Sequence, residues 1–398
     1  MIDSIRIALA VLILSAIPAH SALAADDDKF DPLKGPKPRP ITPLTQDEIR
    51  SSLDRAQKFL IKTQNDDGSW GGPTQTKGLN IMAGVPGSHH AFRIAVTALS
   101  VSAFIETGTN TSEARDALEK AEKVLIEELP KVRRFDNILI YNIWTHFYGI
   151  QALVRMHDRL PDDKDRQAKM KDLIKQQIGM LEKYESVDGG WGYYDFDIGA
   201  KKPASSSTSF CNAAGLVALH EAKQIGIEVP EKLVKRALDA TVRQRKPDFS
   251  YLYGEYMKMA PMYDINRPGG SLGRSQACNI ALRIWGDKKI TDEVLKVWLD
   301  RLYARNDWLG IGRKRPVPHE SWFAVAGYFY YFGHYYAALC IDVLPAEDRP
   351  HFQQHLARII ADLQEKDGSW WDYPFYNYHQ PYGTAFAMMT LQRCLEKK

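Results

Sequence analysis

The sequence predicts an all-α fold, an α/α toroid of six helix pairs in an inner and an outer layer, and three observations carry that expectation. A loop signature recurs as Gln64-Asn65-Asp66-Asp67-Gly68-Ser69-Trp70-Gly71, Val187-Asp188-Gly189-Gly190-Trp191-Gly192 and Gln364-Glu365-Lys366-Asp367-Gly368-Ser369-Trp370. Each copy closes an amphipathic segment: its Gly tolerates the positive φ that follows a helix, and its Trp folds back as an apolar plug between neighbours. Apolar residues keep a helical period along the chain, in paired segments that step by roughly 45 to 70 residues. First members are amphipathic, as in Ala56-Gln57-Lys58-Phe59-Leu60-Ile61, and suit an outer layer with one wet face; second members, such as Ala213-Ala214-Gly215-Leu216-Val217-Ala218-Leu219, are apolar nearly all round and suit a buried inner layer. Strict alternation over six pairs favours a closed ring over an open solenoid, because closure removes the need for capping repeats.

The elements follow in order. Residues 1–24 read as a secretory signal, with Arg6, an apolar run over 7–17, Pro18 and the small-x-small site Ala22-Leu23-Ala24. Residues 25–44 carry an acidic cluster and then Pro32, Pro36, Pro38, Pro40 and Pro43, an extended linker. The toroid spans 45–398, opening with Thr45 as N-cap and Glu48 completing a capping box. Outer helices are expected near Leu53, Leu118, Leu173, Leu233, Val294 and Phe352; inner helices near His90, Ile143, Thr208, Ser275, Ser321 and Thr384. Residues 323–344 are long enough to span a bilayer, but their aromatic content and His334 place them as the fifth inner helix, buried in protein.

A chain of 398 residues, 44% apolar and 25% charged, has ample material for a large core, and a net charge of +3 without a basic block gives no footing for nucleic acid. Cys211, Cys278, Cys340 and Cys394 each lie in an apolar helical stretch and read as buried free thiols.

If all inner helices run the same way, their N-termini meet at one mouth. That mouth gathers Ser88, His89 and His90; Tyr141, Asn142, Trp144 and His146; Asp195 and Asp197; Arg267 and Arg274; Arg313, Arg315, His319, Glu320 and Trp322; and Tyr378, His379 and Tyr382. Convergent titratable groups in one concavity point to a site. The candidates for acid-base chemistry are His319, Glu320 and His379 on one wall with Asp195 and Asp197 opposite. His89, His90, Tyr141, Trp144, His146, Arg274, Trp322, Tyr378 and Tyr382 are the candidates for ligand binding.

The signature loops, followed by Ala/Leu-rich helices, resemble the repeats of squalene and hopene cyclases and of protein prenyltransferase β subunits, over residues 45–398. The resemblance implies the fold, with the Trp loops structural. It implies chemistry less well. The D-x-D-D acid motif of hopene-type cyclases has only Asp195-Phe196-Asp197-Ile198 as a counterpart, and the Asp-x-Cys zinc pair of the prenyltransferases is replaced around His319-Glu320-Ser321, with a His kept at Tyr378-His379. No cofactor motif is evident. Three readings follow: an exported protein, periplasmic or secreted, that binds a hydrophobic or isoprenoid-like ligand in its central cavity; a lyase on acidic glycans using Tyr141, Asn142, His146, Arg274 and Tyr382; or a binding scaffold without chemistry.

Overall fold

Thr45 starts the first helix as its sequence requires: its hydroxyl accepts from the Glu48 amide at 3.2 Å and the Glu48 carboxylate accepts from the Thr45 amide at 2.8 Å. The structure, a computed structural model, describes residues 31–75, 86–196, 201–319 and 324–396. Six pairs of helices follow: α1 (Gln46–Thr63) with α2 (Pro86–Thr107), α3 (Ser112–Glu128) with α4 (Asn142–Arg159), α5 (Lys164–Tyr184) with α6 (Ser209–Gln224), and α7 (Glu231–Arg243) with α8 (Leu272–Ile284). After α9 (Asp292–Ala304) a short α10 (Asn306–Ile311) precedes its partner α11 (Tyr330–Asp342), and α12 (Arg349–Ala361) pairs with α13 (His379–Arg393). Among the described residues β structure is confined to three isolated bridges.

The even-numbered helices α2, α4, α6 and α8, then α11 and α13, pack each against the next, and α13 packs back on α2. The inner ring is therefore closed. Its members are buried nearly all round, whereas α1, α3, α5, α7, α9 and α12 bury one face and leave the other to solvent.

The Trp loops join the layers. Trp70, Trp191 and Trp370 are fully buried, and each indole donates to a carbonyl ten residues upstream in its own outer helix: Leu60, Leu181 and Ile360, at 2.8 to 2.9 Å. The Trp backbone amides donate to Thr97, Asn212 and Thr384 on the inner partner. Gly68, Gly189 and Gly368 sit at φ near +90°, where a Cβ would also lie 2.5 to 2.9 Å from the backbone of the next outer helix. Only Gly fits both demands. Gln64 reaches the Ala117 carbonyl of α3, and Gln364 reaches Ser52 of α1, so the last loop clasps the first helix and closes the outer layer. In the third repeat Glu185 holds this place and pairs with Arg236 of α7 at 2.6 Å.

A fourth copy escapes the sequence reading. Lys246-Pro247-Asp248-Phe249-Ser250-Tyr251 makes the same turn: Lys246 donates its amide to the Ser250 carbonyl, as Asn65 does to Ser69, and Asp248 accepts from Ser250 as Asp67 does from Ser69. Phe249 replaces the Gly at φ +61°, and Tyr251 replaces the Trp. Both signature letters are gone while the geometry remains.

Two expectations shift. The fifth inner helix begins at Tyr330, nine residues beyond Ser321, because α10 and an irregular segment are inserted before it; Ser321 itself lies outside the described residues. The aromatic run expected there is a buried helix of 13 residues, and among the described residues no helix is long and apolar enough to cross a membrane. Residues 32–44 form no helix, yet they are strapped to the outer layer by Arg301 to the Pro32 and Lys34 carbonyls, Lys37 to Asp300, and Arg358 to the Thr42 carbonyl. All four cysteines are buried free thiols.

Candidate functional site

Parallel inner helices bring their first turns, and the loops that feed them, to one end of the ring. A cavity of about 830 Å³ opens there. Phe92 and Leu99 of α2, Trp144 and Tyr148 of α4, Phe210 of α6, Phe332 of α11 and Tyr382 of α13 form its walls, and loop residues Tyr141, Tyr193, Tyr194, Tyr253, Tyr328, Phe329, Tyr373 and Phe375 form its upper part. The rings brace one another edge to face: Phe210 stands 4.9 Å from Phe329 at 86°, and Phe92 4.6 Å from Phe375 at 79°. Among the described lining residues there is neither Lys nor Arg, and the only carboxyl is that of Asp372.

Asp372 was not singled out by the sequence. It is fully buried, accepts the Tyr331 amide at 3.1 Å, and anchors the chain through its carbonyl, which accepts from the Lys314 amide. Burial raises its carboxyl to about 7, against the pull of the Tyr331 N–H and the Arg313 guanidinium. Near neutrality such a group is half protonated and can deliver a proton into an apolar chamber. A repeat rule finds it. Asp372 stands two residues after Trp370, Tyr193 two after Trp191, and Tyr253 two after Tyr251, and all three line the cavity, whereas Gly72, two after Trp70, does not. Aligning the signature copies and reading two positions onward was the available signal.

His319 and His379 both line the cavity. His319 has φ +64°, and its Nδ1 donates to the Ala324 carbonyl at 2.7 Å, itself on a residue with φ +50°. Burial lowers the His319 imidazole below its ordinary range, so it rests neutral. His379 Nδ1 donates to the Tyr376 carbonyl at 2.5 Å. Tyr141, Trp144 and Tyr382 line the cavity as well.

Other expected residues stand elsewhere. Asp195 is held by Arg134 at 3.0 Å and by the Ala204 amide; its neighbours Tyr194 and Phe196 take the cavity side instead. His146 lies between Asn142 and Gln177, fully buried, with its pKa driven down to about 4 by burial. Arg274, also fully buried, spends its guanidinium on the carbonyls of Tyr251, Gly270 and Ile265, and burial lowers it to about 10. His90 pairs with Glu128 at 3.2 Å, and Tyr378 donates to the His89 carbonyl behind the wall. The physical reason is common to these: a polar group at or before a helix start is consumed by nearby backbone or by a side chain of the adjacent repeat. Glu320, Trp322 and Asp197 lie outside the described residues. Among the described residues no group of three or more His, Cys, Asp or Glu is placed to hold a metal ion.

A hydrogen-bonded row crosses the wall. Tyr193 bonds Tyr253, Tyr253 bonds Tyr328 at 3.3 Å, and Tyr328 bonds His319 Nε2 at 3.0 Å; beside it Tyr141 bonds Tyr194 at 3.0 Å.

No family model matches the chain. It is similar to squalene–hopene cyclase of Zymomonas mobilis, 23% identical over 192 residues, which is 44% of this chain and 27% of that protein; the chain thus matches about a quarter of that relative. In structure it is similar to the cellobiose 2-epimerase of Spirochaeta thermophila, with a TM-score of 0.55, 14% identity and coverage of 88% of this chain and 96% of that one. It is also similar to an inactive variant of the α-1,6-mannanase of Salegentibacter sp. HEL1_6 in complex with α-1,6-mannotriose, with a TM-score of 0.53, 11% identity and coverage of 87% and 99%. At these identities the structural likeness establishes the α/α toroid fold. The cyclase match bears out the resemblance to squalene–hopene cyclase repeats over the 192 residues it covers.

Proposed function

We propose that the central cavity binds a neutral, largely apolar molecule of isoprenoid kind, and that Asp372 is the group able to protonate it. One observation carries the reading: an aromatic chamber of about 830 Å³ whose one carboxyl among the described lining residues is raised to about 7. Aromatic faces stabilise positive charge without competing as bases, and an apolar chamber keeps a larger share of the carboxyl protonated than water would. His379, at the same cavity with its Nδ1 proton held by the Tyr376 carbonyl, is the candidate base.

The scaffold is shared with carbohydrate-acting proteins, so a glycan ligand is the principal competitor. The side chains favour the apolar ligand. A lyase on acidic glycans needs a cation against the uronate, and Arg274 is committed to backbone carbonyls while His146 is packed against Gln177. Export, periplasmic or secreted, belongs to the proposal through residues 1–24.

Thermal shift and native mass spectrometry against C15 to C30 isoprenoids, neutral oligosaccharides and uronate oligosaccharides test the reading. The isoprenoids alone are expected to bind and to raise the melting temperature by mass action. Binding of an oligosaccharide with no isoprenoid binding would overturn it. Catalysis is tested separately: Asp372→Asn should keep the ligand and abolish any conversion seen by gas chromatography of the extracted ligand.

A further inference from the structure

Hydrogen-bond direction along the tyrosine row is fixed from one end. The Ala324 carbonyl can only accept, so His319 carries its proton on Nδ1 and leaves Nε2 as a lone pair. Tyr328 must then donate to Nε2, which makes its own oxygen the acceptor for Tyr253. Tyr253, its proton spent, is in turn the acceptor for Tyr193. The row runs Tyr193 to Tyr253 to Tyr328 to His319, with every phenol proton committed. What remains at its far end is the Tyr193 oxygen, on a side chain that lines the cavity, with acceptor capacity and no proton to give. The backbone strain at His319 and Ala324, both at positive φ, holds the fixing contact and is the kind of local cost found where a site is preorganised.

We propose that this polarised row reads a hydroxyl head group, so that the ligand of the cavity is an apolar chain or ring system bearing one alcohol. A ligand hydroxyl donates to Tyr193, and the rest of the molecule lies against the aromatic wall formed by Phe210, Phe329 and Phe332. Anionic heads are refused: a row of oxygen acceptors repels them, and no Lys or Arg among the described lining residues offsets that. A pure hydrocarbon fits the walls but leaves the Tyr193 oxygen without a donor, which costs binding free energy.

The inference rests on the apolar-ligand reading, and a matched pair of C15 probes separates the two. Farnesol and β-farnesene are titrated into the full chain and into Tyr193→Phe. Farnesol is expected to bind wild type about tenfold more tightly than β-farnesene, the factor for one net hydrogen bond. Tyr193→Phe should close the gap, weakening farnesol and, by removing the undonated oxygen, bringing β-farnesene to the same affinity. Equal binding of the two by wild type would overturn the head-group inference and leave the apolar reading standing; failure of both to bind would overturn both. Nitrogen-15 spectra of histidine-labelled protein give an independent check: His319 should show the Nδ1-protonated tautomer, and Tyr328→Phe should move its Nε2 resonance. An Nε2-protonated His319 would reverse the row and sink the inference even if Tyr193→Phe failed to fold.

Discussion

The two ends of the inner ring are built from opposite materials. At the end where the inner helices start, the space between them is walled by aromatic rings and left open as the cavity. At the end where they finish, charged side chains fill it. Arg155 of α4 donates to Glu106 of α2 at 2.6 Å and to Glu221 of α6 at 2.7 Å, while Arg393 of α13 pairs with Glu106 and with Asp342 of α11 at 3.2 Å. Tyr335 and Gln151 complete the set. Burial pushes the Glu106 carboxyl upward, but Arg393 and Arg155 outweigh it and hold it below the ordinary range. The difference shows how a closed ring obtains a one-ended chamber. Five of the six inner helices are tied at the floor by charges that must find partners, so the mouth needs no such ties and is left to aromatic rings.

The largest effects are expected where the ring is tied. Arg155→Met leaves Glu106 and Glu221 short of their shared cation in a buried site and should destabilise by about 3–5 kcal/mol in denaturant unfolding. Trp191→Ala, which removes an interlayer plug on the mouth side, should cost about 3–5 kcal/mol as well. A loss below about 1 kcal/mol in either would mean that its end of the ring is held by something else.

Asp372 separates the ends by pH. Its folded pKa of about 7 lies above the ordinary 3.8, so the stability contributed by its neutral form is fully present below about pH 4 and is lost as pH rises through 7. The amplitude is at most about 4 kcal/mol. His146 and His334, lowered to about 4 by burial, act in the opposite sense, adding stability as pH rises through the same window. They do so in wild type and in Asp372→Asn alike. The difference between the two stability profiles should therefore fall steadily from pH 4 to 7 and level off above; a flat difference would place the Asp372 carboxyl in water.

The smallest effect is at the rim. Phe196 is 68% exposed beside the cavity, and Phe196→Ser should change stability by less than about 0.5 kcal/mol while weakening isoprenoid binding in the thermal-shift assay. A large loss of stability would show the rim to be part of the fold rather than of the site.

Local chemistry made most of the fold legible. The capping box at Thr45, the Gly and Trp of three loops, and the contrast between half-wet and fully apolar helices each act within a few residues, so the layers and the six pairs could be read without coordinates. The fourth loop could not, because the turn it needs is made by Phe249 and Tyr251 in a backbone shape their letters do not announce. The delayed start of α11 was hidden for a similar reason: the apolar run continues through the insertion.

For the site, the sequence by itself determined that polar and aromatic groups from several repeats would gather at one mouth, since helix direction alternates along the chain. Only the tertiary structure decided which of them face the cavity. Arg274, His146 and Asp195 were as plausible in sequence as His319, His379 and Tyr141, but nearby carbonyls and partners captured the first three, while the second three reached the chamber. Asp372, unremarkable as a letter beside two tryptophans, became the one described carboxyl of the lining because its loop packs against the start of α11, where burial raises its carboxyl to about 7.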